Sequence, residues 1–135
     1  MAHTPRKILV VEDNKDLAYL LNLRFEHLGW RTSVCMDPSV ALELLAQAKF
    51  DVLFTDHMMP GMTGSQLIDK ARAAGTIATL TVIYTGDLNV IENANCVPED
   101  VWVVRKPADM KKLSDDMFLA IESGSRTKVW SNIYE

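Results

Sequence analysis

Short apolar runs alternate along this chain with longer segments whose hydrophobic residues recur at helical spacing, and that alternation leaves few folds open. Ile8-Leu9-Val10-Val11, Val52-Leu53-Phe54-Thr55, Thr81-Val82-Ile83-Tyr84 and Val101-Trp102-Val103-Val104 read as strands, with a further strand over Arg31 to Cys35. A strand apolar on both faces must be covered on both faces, so these runs belong to a five-stranded parallel sheet with helices above and below. Right-handed crossovers make such an α/β fold doubly wound, with its ligand site at the carboxyl ends of the strands.

The intervening helices carry start and stop signals. The first is expected from about Asn14 to Leu28, with Leu17, Leu20, Leu21, Phe25 and Leu28 inward and Gly29 as its stop. Asp37-Pro38 opens the second, because the Asp oxygen accepts orphan N–H groups and Pro tolerates the first helical position; it ends near Lys49. Thr63-Gly64-Ser65-Gln66 has the form of a capping box, which predicts a helix from about Gly64 to Ala74 closed by Gly75. A weaker helix, rich in Asn and followed by Pro98, is expected around Leu88 to Asn95. The last begins near Asp109, carries Leu113, Met117 and Ile121 at a spacing of four, and stops before Ser123-Gly124-Ser125.

The strand ends hold the chemistry. The first run ends in Glu12-Asp13, the third strand in Asp56 before a Pro/Gly turn, the fourth in Thr85-Gly86-Asp87 and the fifth in Arg105-Lys106-Pro107. Three carboxylates, a hydroxyl and an ammonium at one edge of a sheet can bind a divalent cation and a phosphoryl group. At 135 residues the chain is one domain with a real core, and a net charge of -4 without a Lys/Arg stripe argues against nucleic acid as a partner. Cys35 and Cys96 have no metal-ligand spacing, so a reduced, cytoplasmic protein is expected. No apolar run reaches the ~18 residues of a membrane helix, and the start lacks the apolar core of a signal peptide.

From about Arg6 to Glu122 the chain resembles the receiver domain of two-component response regulators. The residues that carry the resemblance are Glu12-Asp13, Asp56 with Met59-Pro60 and Gly64 behind it, Thr85, and Lys106-Pro107, in the family's order and spacing. It implies a flavodoxin-like sheet of strand order 2-1-3-4-5, with residues 1–6 as an N-terminal arm, 7–122 as the receiver and 123–135 as a C-terminal tail. It also implies that Asp56 is the phosphoacceptor and that Glu12, Asp13 and Asp56, with the Met58 backbone carbonyl, hold Mg2+, for which Mn2+ can substitute. Thr85 and Lys106 would contact the phosphoryl group. The implied function is a stand-alone receiver that takes phosphate from a sensor histidine kinase and changes its protein-binding surface. The resemblance implies a signalling domain, with no enzymatic activity beyond its own phosphotransfer and slow autodephosphorylation.

An alternative is a relay or phosphate sink that exchanges the group with a histidine phosphotransfer protein. A haloacid-dehalogenase-type phosphohydrolase is disfavoured, since Met58 stands where that family has its second Asp. The receiver family usually has an aromatic residue three positions before the lysine; Val103 is there, and Trp102 beside it faces the opposite side by strand alternation. His57 is read as a loop residue that modulates access of water to the phosphoryl group, and Asp87 as a helix cap bordering the site. Met58, Met59 and Met62 suggest a soft apolar rim for a partner. The tail reads as a frayed terminus, with the alternative that Val129, Trp130, Ile133 and Tyr134, one apolar stripe if helical, pack on the domain or on a second copy in a homodimer. With no effector domain following, output is expected through a downstream effector protein or onward phosphotransfer.

Overall fold

A computed structural model describes residues 6–87, 89 and 100–124. The elements run β1 (Lys7–Val11), α1 (Lys15–His27), β2 (Arg31–Cys35), α2 (Pro38–Gln47), β3 (Val52–Thr55), α3 (Gly64–Ala73), β4 (Leu80–Thr85), β5 (Val101–Arg105) and α4 (Met110–Ser123). All strand pairs are parallel, in the order β2-β1-β3-β4-β5. The expected helix over 88–95 (apart from Asn89), Cys96, the first five residues of the arm and the tail stripe lie outside the described residues. No described helix is long and apolar enough to cross a membrane.

Alternation along the strands divides the core in two. Ile8, Val10, Val52, Phe54, Val82, Tyr84, Trp102 and Val104 face α1 and α4, where they meet Leu21, Phe25, Trp30, Leu113 and Met117. Leu9, Val11, Leu53, Ile83 and Val101 face α2 and α3, against Ala41, Leu45, Leu67 and Ile68. Trp30 joins α4 to the start of β2, since its ring stacks on Phe118 at 4.2 Å and its Nε1–H donates to the buried Ser114 hydroxyl at 2.7 Å. Without that acceptor the buried indole N–H would cost about 1–3 kcal/mol.

The caps follow the sequence signals. Asn14, Asp37 and Asp109 accept backbone N–H groups at the starts of α1, α2 and α4, and Thr63 and Gln66 form both halves of the capping box on α3. Gly29 and Gly75 follow α1 and α3 with φ of +98° and +71°, conformations that a side chain disfavours. Two expectations are corrected. Leu20, expected inward, is 59% exposed, because the buried stripe of α1 runs through Ala18, Leu21 and Phe25 and leaves Leu20 on the helix flank. Of the expected methionine rim only Met58 points outward; Met59 is buried in the α2/α3 face and Met62 packs against it.

Candidate functional site

The site forms where β1, β3, β4 and β5 end. Parallel pairing of Val11 with Thr55 brings the next residues, Glu12 and Asp56, side by side, and the Asp56 N–H donates to the Val11 carbonyl at 2.9 Å. One carboxylate oxygen from each of Glu12, Asp13 and Asp56 lies within 4.8 Å of the others. Their environments differ: Glu12 is 2% exposed, the Asp56 side chain 10%, and Asp13 faces solvent. Burial raises the Glu12 pKa, and the hydrogen bond from Lys106 opposes that rise.

Lys106 supplies the positive charge. Its Nζ lies 2.7 Å from Glu12 Oε1 and 3.4 Å from Asp56 Oδ2. One ammonium among three carboxylates leaves excess negative charge at the strand ends. A hard divalent cation that prefers oxygen ligands suits this donor set, and Mg2+ or Mn2+ would be held by Glu12, Asp13 and Asp56.

The loop after β3 is fixed through its backbone. The His57 N–H donates to Asp56 Oδ1 at 2.8 Å, and the Thr55 hydroxyl donates to the Asp56 carbonyl at 2.8 Å. Gly64 stands so close that a Cβ there would overlap the Asp56 carbonyl oxygen. His57 lies in this loop, its Nδ1 3.4 Å from the Ser65 hydroxyl, and Met58 follows with an exposed side chain.

Thr85 is buried, and its hydroxyl accepts the Asp87 N–H at 3.0 Å. Asp87 in turn accepts the Asn89 N–H at 2.9 Å, in the manner of the expected cap. The Lys106 N–H donates to the Thr85 carbonyl at 2.9 Å, so these two residues are neighbours through the backbone while the Thr85 side chain is engaged with Asp87. Two features are not evident from the sequence. The close approach of Gly64 to the Asp56 carbonyl has no signal beyond the glycine's place in the family pattern, and Tyr84, whose ring lies beneath Lys106, signals itself only as an aromatic beside Thr85 in an aliphatic strand.

The profile of the response regulator receiver domain family matches residues 8–117. The chain belongs to that family. It is 33% identical over 98 residues to the two-component response regulator ORR42 of Oryza sativa, covering 72% of this chain and 74% of that protein. It is 36% identical over 78 residues to the chemotaxis protein CheY of Pseudomonas aeruginosa, covering 57% of this chain and 63% of that one. The Francisella response regulator 1452 receiver domain superimposes with a TM-score of 0.74 at 26% identity, over 89% of this chain and 99% of that one. Among longer relatives, the match spans 22% of a transcriptional activator and 6% of a virulence sensor protein. Receiver domains are phosphoacceptor modules of two-component signalling that bind Mg2+ at an acidic pocket and work with sensor histidine kinases and downstream effectors. In this receiver, Val103 is 2% exposed and pairs with Ile83, while Trp102 is packed on the α1/α4 face.

Proposed function

We propose that this receiver accepts a phosphoryl group on Asp56 from a sensor histidine kinase and signals by changing its protein-binding surface. The observation that carries this reading is the cluster of Glu12, Asp13 and Asp56 within 4.8 Å, with Lys106 Nζ 3.4 Å from Asp56. A carboxylate oxygen is a weak nucleophile toward phosphorus, so the work falls to positioning and charge. Asp56 Oδ2 would attack the phosphorus, forming a P–O bond as the P–N bond to the kinase histidine breaks and its electron pair returns to the imidazole nitrogen. Lys106 would meet the oxygens of the transferring group. A divalent cation on the three carboxylates, with the Met58 carbonyl as a further ligand, would neutralise the developing charge.

The aspartyl phosphate brings acceptor oxygens that need donors. The Thr85 oxygen accepts the Asp87 N–H and its own O–H remains available to a phosphoryl oxygen, so a Thr85 drawn toward the phosphoryl group would pull on the Asp87 backbone. With Val103 at the usual aromatic position, that movement has no aromatic partner there. A relay reading stands second, supported by the match to a segment of a virulence sensor protein; transfer from Asp56 to a histidine phosphotransfer protein distinguishes it.

Intact-mass measurement after incubation with Mg2+ and acetyl phosphate tests the proposal. A phosphate-sized gain is expected in the wild type and none in Asp56→Asn. Labelling of Asp56→Asn at the wild-type rate would refute the assignment.

A further inference from the structure

Tyr84 occupies a place that the phosphotransfer chemistry does not explain. Strand alternation turns it away from the side taken by Thr85 and into the α1/α4 core, where it is 5% exposed. Its ring centroid lies 5.1 Å from that of Phe54, and Phe54 meets Phe25 edge-on at 5.0 Å. The ring therefore cannot turn aside without breaking an aromatic array. Its other neighbours belong to the site: Lys106 Nζ lies over the ring, 5.6 Å from its centroid, and the phenol oxygen accepts the Ala108 N–H at 3.3 Å.

Those two contacts address a problem set by Lys106 itself. A lysine stem has four flexible methylenes, and here two carboxylates compete for its head. Glu12, the more buried, holds it at 2.7 Å, against 3.4 Å for Asp56. Alone, that imbalance favours an ammonium drawn toward Glu12 and away from the reacting group. The negative face of an aromatic ring gives a third point of attraction. The backbone is held from the same strand, since Lys106 N–H donates to the Thr85 carbonyl and Ala108 N–H to the Tyr84 phenol. An aliphatic residue at position 84 would fill the core and supply neither the ring face nor the acceptor.

We propose that Tyr84 is a positioning residue for the ammonium of the site: its ring face and its bond to Ala108 keep Lys106 Nζ within reach of both Glu12 and Asp56. The proposal rests on the phosphoacceptor reading of Asp56. Tyr84 touches no phosphoryl oxygen and acts through Lys106 alone.

The test uses the full chain, with Mg2+ and beryllofluoride as probes and with Tyr84→Phe, Tyr84→Leu, Lys106→Ala and the double variant Tyr84→Leu/Lys106→Ala. Tyr84→Leu leaves the three carboxylates in place, so Mg2+ affinity is expected to stay within about twofold of wild type. Beryllofluoride affinity and the rate of labelling by acetyl phosphate are expected to fall about tenfold, within the range a partly desolvated cation–ring contact spans. Tyr84→Phe keeps the ring and should recover most of that loss. In the Lys106→Ala background, Tyr84→Leu should cost nothing further. If it lowers beryllofluoride affinity equally with and without Lys106, Tyr84 serves the fold and the proposal is wrong. The proposal is equally wrong if Tyr84→Leu binds beryllofluoride like the wild type. Should Tyr84→Leu melt below the assay temperature, Tyr84→Met replaces it in both backgrounds. A wild type that takes up neither acetyl phosphate nor beryllofluoride would overturn the phosphoacceptor reading itself, and this proposal with it.

Discussion

Replacing Gly64 with alanine tests whether the backbone around Asp56 is as tightly set as its contacts imply. A Cβ on Gly64 would overlap the Asp56 carbonyl oxygen and lie 3.1 Å from the His57 Cα and 3.2 Å from the Asp56 carbonyl carbon. All three are backbone atoms, so no side chain can swing aside. The loop is also held from three directions: Gly64 N–H donates to the His57 carbonyl at 2.8 Å, Asp56 N–H to Val11, and the Thr55 hydroxyl to the Asp56 carbonyl. Helix propensity favours alanine by at most about 1 kcal/mol. Against that, crowding into a packed site costs about 1–3 kcal/mol. Moving the Asp56 carbonyl also strips the buried Thr55 hydroxyl of its acceptor, for about 1–3 kcal/mol more. The balance is a loss of about 3 kcal/mol, or roughly 10 °C in melting temperature for a domain of this size. Urea unfolding of Gly64→Ala beside Gly86→Ala measures it. Gly86 has a φ outside the left-handed region and open space around its missing Cβ, so its variant should stay within about 0.5 kcal/mol of wild type. Phosphate uptake by Gly64→Ala should slow as well, because the displaced carbonyl belongs to Asp56. A Gly64→Ala protein as stable as wild type would refute the reasoning.

Three further outcomes follow from groups away from that contact. Lys106→Ala leaves Glu12 buried beside Asp56 without its cation, and should lower stability by about 3 kcal/mol at neutral pH, the low end for a buried pair because Lys106 is partly exposed. Burial raises the Glu12 pKa, so a protonated Glu12 needs no partner, and the deficit should shrink as pH falls through that raised value; unfolding at two pH values checks this. Burial pushes the Cys35 thiol up from 9.0 to about 11. Stability from the neutral thiol is then complete below about pH 9 and lost as pH rises through about 11, so Cys35→Ala, which lacks this group, should show a shallower alkaline decline by up to about 3 kcal/mol. Thr63→Ala removes the acceptor for the Gln66 N–H and one half of the capping box, and should cost about 1 kcal/mol in urea unfolding.

Much of this was legible in the chain because the signals were local. A strand buried on both faces is an unbroken apolar run wherever it lies in the sheet, and Val52 to Thr55 and Val101 to Val104 show themselves on that ground. Caps are equally local, and Asp37, Thr63 and Asp109 occupy the positions their side-chain oxygens predict. Leu20 lies on the flank because α1 has more leucines than inward positions; their number does not fix the phase of the buried stripe, which Leu21 and Phe25 set by packing into the core with residues of β1 and β3. Strand order could not be read from periodicity at all, and came with the resemblance.

The site divides along the same line. Each acid sits at a strand end that hydropathy alone marks, but their meeting depends on register. Val11 must pair with Thr55 for Glu12 and Asp56 to stand together, and Thr85 with Arg105 for Lys106 to leave the sheet beside them. In the order β1-β3-β4-β5, Lys106 starts three strand spacings from Glu12, roughly 14 Å, and still reaches it at 2.7 Å. The Lys106 and Glu12 stems reach toward each other across the ends of β4 and β3, while the turn after β5 begins with the Lys106 backbone still beside β4, its N–H on the Thr85 carbonyl. The turn is fixed at both ends by β4, through the Thr85 carbonyl and the Tyr84 phenol. A slip of one residue between β4 and β5 would send Lys106 to the other face and leave three carboxylates without an ammonium. The charge balance of the site is therefore a property of sheet register, and the sequence holds it in Tyr84 and Thr85, away from the acids that announce the site.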